Sequence, residues 1–163
     1  MNKINAYFLA EKYESLIFII VGAVALILSF YFWLAINSRF YNGVGWPLLF
    51  ISLIQLTVGS IVYLRSPTDA KRVNSFAENN PKNIRALEIP RMEKVMRSFI
   101  VYRYVEIALI LIGLFLFLWG FEGGFVKGLG LGLVIQAGLI LLADAFAENR
   151  GHWYLEYLKS NFG

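Results

Sequence analysis

The stretch SLIFIIVGAVALILSFYFWLAINS, residues 15–38, decides the fold. It carries no Asp, Glu, Lys or Arg, and it lacks the apolar/polar alternation of a half-buried strand. About 20 helical residues cross the ~30 Å hydrocarbon core of a bilayer, so this run predicts a transmembrane helix. Three similar runs follow, and together they predict spans over residues 16–36, 46–63, 99–119 and 125–146. Backbone groups in lipid must be satisfied inside a helix or a closed barrel, and the missing period-two pattern selects helices. The expected fold is all-α: a polytopic membrane protein forming one membrane domain over residues 1–163, a four-transmembrane-helix bundle of two hairpins. Their turns are SRFYNGVG (38–45) and GFEGGF (120–125).

Composition agrees. The 163 residues are 58% hydrophobic and 16% charged, with a mean hydropathy of +0.61, against roughly 45–50% apolar and 25% charged in soluble domains. A soluble enzyme and a disordered tail are excluded. The absence of cysteine excludes a disulfide scaffold, thiol relays, iron–sulfur ligation and thiolate zinc sites. A single histidine, His152, excludes bis-histidine haem. No cofactor and no metal site is therefore expected. The first apolar run is longer than a 7–15-residue signal-peptide core, and Trp33 and Asn37 stand where cleavage needs small residues, so it is expected to remain as a span.

The net charge of +4 orients the chain. Eight of the 15 basic residues lie in the connection 65–98, at Arg65, Lys71, Arg72, Lys82, Arg85, Arg91, Lys94 and Arg97. Lys3, Lys12, Arg150 and Lys159 join them near the termini, against only Arg39 and Lys127 on the other side. The positive-inside bias then places both termini and the connection in the cytoplasm, as in a bacterial inner-membrane protein. Trp33, Trp46 and Trp119 fall at the outer ends of spans, while Trp153, Tyr63, Tyr102, Tyr104, Tyr154 and Tyr157 form an inner belt. The N-terminal segment, with Ile4, Tyr7 and Phe8 on one face, is expected to lie along the inner surface. Gly151 is expected to interrupt the fourth span and leave a second interfacial segment. Within the connection, Ser66–Pro67 and Asn80–Pro81 read as starts of two short helices. Pro90 opens a third helix that runs unbroken into span three. Gln55 in SLIQLTVG (52–59) and Gln136 in LVIQAGLI (133–140) align between the two halves as in a parallel repeat.

Ionisable groups inside spans are expensive and mark candidate sites. Arg103 and Glu106 on span three, with Asp144, Glu148 and Arg150 on span four, are expected at one depth as an intramembrane polar cluster. It serves either as a neutralising lock between helices or as a proton, ion or headgroup site. Gln55 and Gln136 form a candidate mid-membrane polar pair, bonding across helices or lining a path. Gly124, Gly128 and Gly132 make a small-residue stripe that seats a helix of the same chain or of a homo-oligomer. Their overlap with GLGLG lacks the strand–turn–helix context of a phosphate loop. His152 reads as a solvated neighbour of aromatics. Arg91, Lys94 and Arg97 read as contacts for anionic lipid headgroups or a membrane-protein partner. No nucleic acid is expected.

Three functions fit this pattern. The first is an accessory component (regulatory, assembly or protective) working through the basic face. The second is a small oligomeric channel or transporter using Arg103, Glu106 and Asp144. The third is a lipid-acting interfacial enzyme with Asp144, Glu148 and His152 as acid/base groups, although the pattern favours a protein that is not an enzyme.

Overall fold

A computed structural model describes residues 3–120 and 124–163. Every described element is helical. Helix α1 covers Lys3–Tyr31 and ends in one π-helical turn, Phe32–Ile36; α2 covers Arg39–Asn79. A second π-helical turn, Ile84–Glu88, leads into α3, Ile89–Trp119, and α4 covers Phe125–Phe162. All four are long and apolar enough to cross a membrane. Of the expected turn at 120–125, Phe121, Glu122 and Gly123 lie outside the described residues.

Helix α1 stops where Asn37 takes a left-handed conformation (φ 43°, ψ 43°) and its N–H donates to the Phe32 carbonyl at 2.9 Å. Asparagine tolerates that conformation and so closes helices. Ser38 then caps α2, its hydroxyl accepting from the Tyr41 N–H. The connection is thus two residues long, not the eight of SRFYNGVG, and helix begins at Arg39. Glycines disfavour helix by ~1 kcal/mol each, but here close packing requires them. A side chain at Gly43 would strike the Phe125 backbone of α4, and one at Gly45 would strike the Trp33 indole.

Three further expectations fail. Pro67 does not start a helix: α2 runs straight through it. The Ser66 hydroxyl, expected as a cap, lies 2.8 Å from the Val62 carbonyl and 2.6 Å from Glu11 Oε2, which share its one proton. Gly151 does not interrupt α4, because its bare Cα lets Met96 of α3 approach; a Cβ there would sit 3.0 Å from Met96 Sδ. The N- and C-terminal segments are not separate surface-lying pieces but the first turns of α1 and the last turns of α4. Pro90 does stand in the first turn of α3, which continues unbroken to Trp119.

Helix α1 lies along α2, α3 along α4, and α2 against α4. Among the described residues α3 makes no close backbone approach to α1 or α2. The start of α1, the end of α2, the start of α3 and the end of α4 meet at one end, here called the polar end. They share a core of Ile4, Tyr7, Phe8, Val73, Ile84, Ile89, Met92, Tyr154, Leu155 and Leu158. Tyr7 stacks on Tyr154 with centroids 4.0 Å apart and planes 8° from parallel, and Phe8 meets Tyr154 edge-on. At the opposite end a smaller cluster joins Ala25, Val44 and Leu48.

Candidate functional site

The expected intramembrane cluster divides into three parts. Arg103 of α3 pairs with Glu148 of α4. Glu106, only 5% exposed, lies beside Asp144 of α4. Its Oε2 is buried without a hydrogen-bond partner. Arg150 leaves the group: it pairs with Glu14 of α1 and sets its guanidinium 5.5 Å from the Tyr7 ring centroid, a cation–π arrangement. The spacing of Arg103/Glu106 and of Asp144/Glu148 along their helices put the first four on facing surfaces. Arg150 follows Asp144 by about a turn and two thirds, which rotates it toward α1.

Just beyond the apolar runs lies a polar layer that sequence reading does not assemble. Glu88, in the second π-helical turn, is 1% exposed. Its carboxylate accepts from Arg91 Nε (2.8 Å) and Nη2 (2.6 Å), and from the Tyr154 hydroxyl (3.3 Å). Arg72 Nη2 stands 3.9 Å from the same carboxylate and 3.0 Å from Asp69, which also holds Arg65 Nε at 3.0 Å. Arg65 in turn reaches Glu11 at 3.6 Å. An isolated buried carboxylate would be prohibitive, and two guanidinium groups with a phenol offset its desolvation. Burial raises the Tyr7 phenol to about 12, and that of Tyr154 also rises, so both stay protonated and donate. The i,i+3 and i,i+4 spacings of Arg65/Asp69, Asp69/Arg72 and Glu88/Arg91 are the local signal that could have found these pairs. The long-range partners Glu11 and Tyr154 carried no such signal.

The remaining candidates are placed as follows. Gln55 and Gln136 are both buried, and the Oε1 of each lacks a hydrogen-bond partner. Gly128 and Gly132 face α2, where a Cβ would run into the Phe40 and Val44 carbonyls; Gly124 caps α4 at φ 74° beside Phe40. Gly130, not singled out by its spacing, meets Gly113 of α3 in a reciprocal close contact. Arg91 is committed to Glu88, whereas Lys94 and Arg97 are exposed. His152 is exposed and 3.2 Å from Glu156 one turn on, and forms no ion pair with Asp144 or Glu148 among the described residues. Among the described residues no three His, Asp or Glu side chains converge as metal ligands.

These features define an all-helical protein with four helices long and apolar enough to cross a membrane. No protein-family model, curated protein or solved structure matches the chain.

Proposed function

We propose that this protein is an accessory component of a bacterial inner membrane, its two hairpins entering from the cytoplasm, with a regulatory, assembly or protective role. It would act through the basic surface of its polar end, against an acidic segment of a membrane-protein partner and with anionic lipid headgroups around it. One observation carries this reading: the charges at that end are sorted. Asp69, Glu88 and Glu93 are occupied in ion pairs with Arg65, Arg72, Arg91 and Lys159, which leaves Glu78 as the exposed acidic group of the connection that forms no ion pair among the described residues. Lys71, Lys82, Arg85, Lys94 and Arg97 are exposed and form no ion pair among the described residues. The surface is therefore basic and rests on a rigid core, which suits electrostatic recognition. The test is mild extraction of the full chain. A partner should co-purify with the wild type and be lost when Arg85, Lys94 and Arg97 are changed to Gln. A solitary species in native mass spectrometry of the wild type would refute the reading.

A second reading, transport by a homo-oligomer, is favoured by the unpartnered Oε2 of buried Glu106 beside Asp144. It predicts cation or proton flux in proteoliposomes that Glu106→Gln abolishes without loss of fold. Absence of flux in the wild type sinks it.

A further inference from the structure

Among the described residues α3 leans on α4 alone, and the gap this leaves beside α1 and α2 is a cleft. Two cavities that share Glu14, Phe18 and Ala143 make it up. One, about 300 Å³, opens at the polar end among Glu11, Arg65, Val95, Phe99 and Arg150. The other, about 440 Å³, continues between α1, α2 and α4 to Val21, Gln55 and Leu139. Both volumes fall within the ~300–1,000 Å³ of small-molecule pockets. Three helices give the same length for the whole. Glu11 to Val21, Arg65 to Gln55 and Arg150 to Leu139 each cover ten or eleven residues, or roughly 15–17 Å. That is about half of the ~30 Å hydrocarbon core, the reach of one acyl chain in one leaflet.

Charges of both signs line the mouth, and they are placed in order. Arg65, its side chain 46% exposed, gives Nε to Asp69 and stands 3.6 Å from Glu11, which also accepts from Ser66. Arg150 pairs with Glu14 through Nη1, but its buried Nε finds no acceptor. A guanidinium has more N–H donors than one carboxylate takes up, so these pairings neutralise Glu11 and Glu14 and still leave donors over. Asp144 has no Lys, Arg or His partner among the described residues. It lines the wall six residues before Arg150, about 9 Å deeper along α4. Donors therefore wait at the mouth, and the carboxyl below them stops an anion from sliding further in.

We propose that this cleft binds a single-chain amphiphile with an oxyanion head, of the fatty-acid class. Its carboxylate accepts from Arg150 Nε and from Arg65, and its chain passes between Phe18 and Ala143 toward the level of Gln55. This site is separate from the exposed Lys94 and Arg97 surface proposed for a partner. Asp144 also belongs to the transport reading, but binding here requires no flux.

The test uses the full chain in phosphatidylcholine nanodiscs at mildly alkaline pH, titrated with myristic acid, tetradecanol and tetradecylamine. Myristate should bind one per chain, at least tenfold more tightly than the alcohol or the amine. Arg150→Gln should weaken myristate at least tenfold. Arg65→Gln, on a half-exposed side chain, should weaken it at least threefold and reads the head site even where Arg150→Gln does not fold. Ala143→Phe, placed where the two cavities join, should abolish myristate binding. Asp144→Asn should leave myristate as tight or tighter, the opposite of what a cationic ligand would show. Lys94→Gln with Arg97→Gln should leave it unchanged, whatever becomes of a partner. Tighter binding of the amine than of the acid would overturn the proposal, as would myristate affinity unchanged in Arg65→Gln or in Ala143→Phe.

Discussion

The polar end and the apolar spans of this chain are built on opposite plans. At the polar end the large side chains turn inward: Tyr154, Phe8, Ile4, Ile84, Met92 and Leu158 are the largest fully buried groups apart from Gln55 and Gln136. Along the spans they turn outward. Leu34 is 81% exposed, while the interior is filled by Gly22, Ser29, Ser52, Gln55, Gly128, Gly132 and Gln136. Water explains the difference. Where it surrounds the chain, burying apolar area stabilises at ~25 cal/mol per Å². In hydrocarbon that term vanishes, and close approach between small residues, with hydrogen bonds such as Ser29 Oγ to the Gly45 carbonyl (2.8 Å), holds the helices together.

Four substitutions, followed by equilibrium unfolding in mixed micelles, would break or sharpen this contrast. The largest effect is expected for Tyr154→Ala, which removes a stacked, hydrogen-bonded ring from the polar-end core and should cost ~3–5 kcal/mol. A value under about 1 kcal/mol would mean that this core does not hold the helices together. Glu88→Gln should follow at ~3 kcal/mol, because it strands Arg91 and Arg72 beside a neutral amide. In the spans, Gly128→Ala pushes a methyl into the Phe40 carbonyl and should cost ~1–3 kcal/mol by prising α4 from α2. The smallest change is expected for Leu34→Ala, within about 0.5 kcal/mol, because a side chain 81% exposed meets the same apolar surroundings in the folded and unfolded states. A loss as large as that of Gly128→Ala would show Leu34 buried against another protein.

The spans were legible because lipid allows so few backbone solutions that an uncharged run of sufficient length fixes a helix. The start of α3 at Pro90 was legible too, from a local stereochemical rule. So was the boundary at Asn80–Pro81, where α2 ends at Asn79 and helix resumes at residue 82. Other helix ends were not. Pro67, Gly43, Gly45 and Gly151 all look like breaks, and each is overridden by a partner far away in sequence: Glu11 at Ser66, Phe125 at Gly43, Trp33 at Gly45, Met96 at Gly151. The site follows the same rule. Arg103, Glu106, Asp144 and Glu148 could be brought together from helical spacing alone. The departure of Arg150 could not, because its partner Glu14 belongs to a segment whose apolar face (Ile4, Tyr7, Phe8) suits a bilayer surface as well as a protein core.

The geometry of α4 has a consequence for how the protein is made. Among the described residues it is the one helix that packs against α1, α2 and α3, and it emerges from the ribosome after all of them. Until it arrives, Tyr7 and Phe8 have no Tyr154 to cover them, α3 has no long helix beside it, and Gly43 has no backbone to receive. A ribosome stalled after α3 would therefore display an aromatic patch in water and an unattached span in lipid, both of which membrane quality-control proteases can recognise. Chains truncated after α3 should therefore be degraded faster than the finished one, which pulse-chase labelling would check.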